Sequence, residues 1–248
     1  FNAADVVVVG RWAGDNSLAA VGSNTSLIAL LTNMFLGLSI GANILAARYF
    51  GAHEDEELSK TVHTSILLSL YSGVFLTVVG ILGARTILIW MQCPANVLDL
   101  ATLYLRIYFA GITGLMIYNM GSAILRAVGD SKRPLYFLAL TSCLNVALDL
   151  YFVIGLRWGV AGVAYATILA QFISAGATMA VLLRTRDIYR FSFVDLCLDR
   201  GLLSQIFRVG LPTAIQSIIT SFSNIFVQSY INFFGAIVMA GWGCYNKL

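Results

Sequence analysis

From Thr61 to Gly83 the chain runs TVHTSILLSLYSGVFLTVVGILG without one Asp, Glu, Lys or Arg. A helix rising ~1.5 Å per residue covers the ~30 Å hydrocarbon core of a bilayer in about 20 residues. No backbone polar group can be left unpaired there, so a run of this kind folds as a membrane-spanning helix. The pattern recurs along the chain. Spans are predicted at 1–12, about 26–50, 61–83, 101–126, 134–156, 160–183 and 209–234, and an eighth begins as the chain ends. Polar breaks separate them: GAHEDEELSK, CPANVLDL, GDSKRP, LRWG and a long stretch from Arg184 to Arg208. Composition agrees, with 59% hydrophobic and 11% charged residues against about 25% charged in soluble domains. The expected fold is all-α, a polytopic transmembrane helix bundle.

Basic residues set the expected orientation, because Lys and Arg are retained on the cytoplasmic side. Arg48, Lys60, Arg126, Lys132, Arg133, Arg184, Arg186, Arg190, Arg200 and Arg208 flank the connections after the second, fourth and sixth spans. Arg11, Arg85, Arg106 and Arg157 lie on the other side. The first group therefore faces the cytoplasm, and the location expected is the plasma (inner) membrane, multi-pass. The segment RDIYRFSFVDLCLDRGLLSQIFR mixes basic and apolar residues at helical spacing. It is expected to be an amphipathic helix lying on the cytoplasmic surface.

An internal echo extends the architecture. At a constant offset of 221, Gly14 meets Gly235, Ala19 meets Ala240, Gly22 meets Gly243 and Leu27 meets Leu248. Six spans separate the copies, so both have the same orientation, a parallel repeat. Three regions follow: a six-helix N-terminal lobe over 1–183, the connector over 184–208, and the start of a second, pseudo-symmetric lobe over 209–248. On the same offset the counterpart of Pro212 would precede Phe1, and the first helix is expected to lack its beginning.

Several functions are disfavoured. The net charge of +3 gives no reason to expect nucleic acid. Cys93, Cys143, Cys197 and Cys244 form no CxxC pair and are expected to be buried thiols. No nucleophile–base pair or phosphate loop suggests an enzyme, and no cofactor is expected. His53 and His63 read as solvated histidines at the cytoplasmic edge, and the small residues of GLSIGANILAARYFGAH read as a close-packing helix face.

Of the twelve acidic residues, only Asp5 and Asp149 lie well inside apolar segments. An Asp at a helix centre costs ~2.5–3.5 kcal/mol to insert, so such residues line polar pathways or meet partners. Counting the helical rise puts Asp5 ~9 Å below Arg11, and Asp149 ~12 Å below Arg157. Thr167, on the descending sixth span, lies ~12 Å below Gly159. Asn145 shares the face of Asp149 one turn deeper, and Thr141 extends the stripe. Oxygen donors of this kind suit a small hard cation. They suit a proton equally well, since two neighbouring acids in apolar surroundings do not both keep their charge. The bland alternative is that Asn145 and Asp149 only tie helices together. Asn119, Gln171 and Gln216 are further candidates to line a cavity, with helix packing the alternative for each.

The stretches NAADVVVVGRWAGDNSLAAVG, LGLSIGANILAARYFGAHEDEE, ILRAVGDSKRP, LNVALDLYFVIGLRWGVAGVAYATILAQ and VGLPTAIQS, in this order, resemble the multidrug and toxic compound extrusion family. The resemblance implies a twelve-helix antiporter of two six-helix lobes, exporting drugs and other amphiphilic or cationic organic compounds in exchange for H⁺ or Na⁺. It also implies a cation site of Asp5, Asn145, Asp149 and Thr167, the quartet that depth counting isolates; these residues would hold the metal ion if Na⁺ is used. Two positions depart from relatives with a second-lobe site. Phe226, the repeat counterpart of Asp5, carries no charge, and helix seven offers only Gln216 as its plausible polar residue. The partners expected are the lipid bilayer and small organic substrates, with the protein a monomer. The alternative from the same superfamily is a lipid-linked oligosaccharide flippase, whose cationic cavity has no counterpart here: no Arg or Lys lies well inside a span. A non-transporting scaffold would leave the two acids unexplained.

Overall fold

In a computed structural model, residues 8–12, 15–90, 93, 95–192 and 198–233 are described. The described residues contain helices and their connections, with no strand. Helix α1 is described over residues 8–12. It is followed by α2 (Asp15–Gly51), α3 (Asp55–Trp90), α4 (Ala95–Ala127), α5 (Lys132–Leu150), α6 (Gly159–Arg184) and α7 (Arg200–Phe233). Five of these helical stretches, from α3 to α7, are long and apolar enough to cross a membrane. Large apolar side chains stand fully outside on α3, with Phe75, Leu82 and Trp90 all exposed. A lipid-facing surface of that kind is stable in hydrocarbon and a liability in water.

Helix α4 is the centre of the bundle, packed against α2, α3 and α6. Its Tyr104, Leu105, Ile112, Ile124 and Leu125 are fully enclosed. Glycines set the spacing: a methyl group on Gly73 of α3 would stand 2.8 Å from the Thr113 Cα on α4. Polar ties reinforce the same contacts. Thr77 Oγ1 donates to the Phe109 carbonyl at 2.9 Å, and Asn43 Nδ2 donates to the Ala123 carbonyl at 2.6 Å. Helix α5 leans mainly on α6, and α7 on α2. The small residues of the second span pack as closely as their size suggests, since a Cβ on Gly37 would overlap the Ala214 backbone at 2.4 Å.

Four expectations need correction. Helix α2 begins at Asp15, well before the expected start near 26, because its polar first turns find partners inside the protein. Asn24 is buried there, and its Nδ2 donates to the carbonyls of Ala20 at 2.9 Å and Ala101 at 3.1 Å. The connector is not one surface helix. Residues 185–192 run as turns and extended chain, and Arg200–Arg208 are the opening turns of α7. Asp199 caps that helix, its Oδ1 accepting from the amides of Gly201 at 2.7 Å and Leu202 at 2.9 Å. Two apolar residues of the connector go inward, Tyr189 and Phe191 joining the core beside Leu58, Val62 and Leu182, while Ile188 and Leu198 are exposed.

His63 is the third correction. It is buried, not solvated. Its Nδ1 lies 2.7 Å from the Ser59 carbonyl, and its Nε2 accepts from the Ser192 amide at 3.0 Å. A neutral ring with its proton on Nδ1 satisfies both contacts. Phe191 stacks on it at 5.1 Å, and Thr64 Oγ1 accepts from the Asp199 amide at 3.2 Å. The start of α3 thus pins the connector at two points. The thiols are the fourth correction: Cys93 is half-buried, and Cys143 is exposed on α5, two residues from Asn145 and so turned away from the buried face of that helix; Cys197 and Cys244 lie outside the described residues. The repeat partners Gly235, Ala240, Gly243 and Leu248 lie outside them as well.

Candidate functional site

The turn that reverses α5 into α6 sets the site. After Leu150 the helix widens into a π-turn, Tyr151–Gly155, where the Leu156 amide donates to the Tyr151 carbonyl at 3.1 Å. Such widened turns within helices gather at functional positions. Trp158 stacks on Phe152 at 5.4 Å, and its amide donates to the Phe152 carbonyl at 3.1 Å. Arg157 and Gly159 take φ of 56° and 54°, a left-handed backbone that suits glycine best. The chain therefore doubles back within three residues, and α6 descends against α5.

This antiparallel pairing brings together side chains that are distant in sequence. Thr141, Asn145 and Asp149 follow one another at i, i+4 and i+8 on α5, and all are buried. Thr167, Gln171, Ser174 and Thr178 follow at i, i+4, i+7 and i+11 on α6, also buried. Both spacings place the residues on one helix face. Asn145 Nδ2 donates to Thr167 Oγ1 at 3.4 Å. Lower down, Ser174 Oγ donates to Thr141 Oγ1 at 2.8 Å, and Thr141 Oγ1 in turn donates to the Phe137 carbonyl at 2.7 Å. The Asn145 Oδ1 is enclosed and accepts no hydrogen bond.

Of the expected quartet, Asn145 and Thr167 are in contact, Asp149 is fully buried one turn above Asn145, and Asp5 lies outside the described residues. Gln171 is buried, its Oε1 held against α4 where a methyl group on Gly111 would stand 2.9 Å away. Asn119 is half-buried on α4, and Gln216 is exposed on α7, outside the enclosed cluster. Sequence reading passed over Ser174 and Thr178. Their signal was the 4–3–4 spacing that continues from Thr167. Among the described residues no group of three or more His, Cys, Asp or Glu side chains is placed to hold a metal ion. The ligand atoms gathered here are instead hydroxyl, amide and carboxylate oxygens, a chemistry that suits hard cations.

A family model described as MatE matches residues 1–152. The probable multidrug resistance protein YoeA of Bacillus subtilis is 32% identical over 250 residues, covering 98% of this chain and 54% of that protein. The probable multidrug resistance protein NorM of Thermotoga maritima is 27% identical over 252 residues, covering 97% of this chain and 52% of that protein. Among solved structures, a MATE in the bent conformation superposes with a TM-score of 0.88 at 31% identity, covering 98% of this chain and 54% of that one. A MOP superfamily transporter from Pyrococcus furiosus, described by the reverse polarity of its binding pocket, superposes equally well. Its TM-score is 0.88 at 30% identity, with 99% of this chain and 55% of that one covered. The chain spans about half the length of the curated relatives it matches. With multiple membrane-spanning helices and a family match over most of its length, the chain belongs to the MatE family.

Proposed function

We propose that the protein to which this chain belongs is a secondary active antiporter, exporting drugs or other amphiphilic and cationic organic compounds in exchange for H⁺ or Na⁺. The observation that carries this reading is the contact between Asn145 and Thr167 beside the buried carboxyl group of Asp149. Two oxygen-bearing side chains from two helices meet there, with the third one turn away on the same face of α5. Asp5, Asn145, Asp149 and Thr167 are the proposed coupling set. Cation binding there favours one arrangement of the two lobes and substrate binding the other, and this difference in affinity couples the fluxes. The relatives described as multidrug resistance proteins support the substrate class. The proposed setting is the inner membrane, with the protein acting as a monomer.

A flippase for lipid-linked oligosaccharides is less well supported. Recognition of a pyrophosphate calls for buried Arg or Lys, and among the described residues no Arg or Lys is buried. The deciding experiment uses the full-length protein in membrane vesicles. Asp149→Asn is expected to abolish cation-driven drug efflux while leaving expression and the thermal midpoint unchanged; coupled efflux at the wild-type rate would rule the proposal out. Replacing Na⁺ by a large organic cation at fixed pH gradient separates the two ions.

A further inference from the structure

The coupling set accounts for only the outer end of the polar surface between α5 and α6. Thr141 and Ser174 continue it toward the cytoplasmic end, and Gln171 and Thr178 of the same α6 stripe lie against Gly111 and Gly121 of α4, so the polar seam runs where α4, α5 and α6 meet; none of the four is more than 2% exposed. Thr178 lies six residues before Arg184, hence ~9 Å from the end of α6, whereas Thr167 lies ~25 Å from it. Helix packing alone explains part of this file, since Thr141 bonds both to its own backbone and to Ser174. It does not explain the rest. The enclosed oxygens Asn145 Oδ1, Gln171 Oε1 and Thr178 Oγ1 have no hydrogen-bond partner. In a permanently dry interface each of these oxygens forfeits a bond that water would supply. Enclosed polar atoms spaced along one seam are where proteins hold internal water.

The seam also leads somewhere. Val181, one turn beyond Thr178, lines a cavity of about 290 Å³ with Ala180, Arg133, Arg184, Thr185 and Asp187 at the cytoplasmic end of the helices. Charges of both signs meet at that mouth, and Arg133 is already paired with Asp130 at 3.2 Å. Between the cavity and the seam stands a single closed turn. There Gly121 of α4 packs so tightly that a methyl group on it would stand 2.5 Å from Thr178 Cγ2.

We infer that the polar stripe of α6, where it meets α5 and α4, forms the cytoplasmic half of the cation's route, a file of neutral oxygens that passes a hydrated monovalent cation between the Asn145–Thr167 level and the cavity beside Arg184. This rests on the coupling-site reading above. Neutral oxygens replace part of the hydration shell without holding the ion, as a route requires and a storage site does not. The closed turn at Thr178 and Gly121 is the barrier that keeps the two sides of the membrane from being connected at once.

The test uses the full-length protein in membrane vesicles, in a background free of other cysteines. Ser174→Cys and Thr178→Cys are each treated from the cytoplasmic side with a cationic, membrane-impermeant methanethiosulfonate reagent, alongside Ile173→Cys, whose position is exposed on the outer face of α6. The first two are expected to be modified during turnover and the third to stay unmodified. In parallel, Thr178→Val removes the unpartnered hydroxyl and keeps its shape. It is expected to hold or raise the thermal midpoint while slowing cation-coupled efflux about tenfold. A purely packing role predicts the same stability with unchanged efflux. Absence of modification at both 174 and 178, or wild-type efflux by Thr178→Val, overturns the inference. Labelling reads the route without reading transport. Its failure is therefore distinct from failure of the coupling site, which is read by Asp149→Asn.

Discussion

Gly41 of α2 and Gly210 of α7 meet backbone to backbone. A methyl group on Gly41 would stand 2.8 Å from the Gly210 amide nitrogen and 2.6 Å from the Ile206 carbonyl oxygen. No flexible side chain is there to yield, so Gly41→Ala must separate the helices. Overpacking of this kind costs about 1–3 kcal/mol. The thermal midpoint of the full-length protein in detergent is expected to fall for Gly41→Ala. It should hold for Gly51→Ala, where a Cβ would meet nothing within 4 Å.

His63 is expected to act as a latch for the connector. His63→Ala removes the acceptor for the Ser192 amide and the ring that stacks on Phe191. The lost contacts amount to about 1–2 kcal/mol. Limited trypsin digestion at Arg186 and Arg190 should accelerate about tenfold, since ~1.4 kcal/mol is a factor of ten in the open population. His63→Gln retains an acceptor oxygen and should be cleaved more slowly than His63→Ala.

Thr167 offers a graded test of the coupling set. Thr167→Val deletes the oxygen that Asn145 contacts, while Thr167→Ser keeps it. The cation concentration giving half-maximal efflux is expected to rise about tenfold for the valine and to change little for the serine. Equal effects of the two substitutions would assign the residue to packing.

The ion pair between Arg85 and Asp99, 3.1 Å apart, joins the outer parts of α3 and α4 with both side chains exposed. Exposed pairs contribute ~0–1 kcal/mol. A double-mutant cycle with Arg85→Ala and Asp99→Ala should therefore find a coupling energy within that range, and smaller still at high salt.

Much of the site was legible because helical rise is constant. Counting residues inward from Gly159 and Arg157 places Thr167 level with Asp149; in the structure Thr167 bonds to Asn145, one turn deeper on the same face of α5, and Ser174 to Thr141. Asp5, the fourth member, lies outside the described residues. The lower file was harder to read. Ser174 and Thr178 sit among Ile173, Ala175 and Ala177, and a membrane helix is apolar both toward lipid and toward its neighbours. A single hydroxyl in such a helix carries no mark of the face it occupies. The connector misled for a related reason: its mixed basic and apolar residues suit a surface helix, but His63 and Thr64 accept hydrogen bonds from the backbone amides of Ser192 and Asp199.

What the amino-acid order determined was the helical spans from α3 to α7 and the spacing of the buried polar residues along each. Both follow from hydrocarbon thickness and from backbone hydrogen bonding within each helix. What only the tertiary structure decided was which faces meet. The π-turn and left-handed residues between α5 and α6 turn two polar stripes toward one another, and the glycines of α4 and α2 admit their neighbours to backbone contact. Facing is a property of pairs of helices, fixed by shape and by shared hydrogen bonds, and no single helix encodes it.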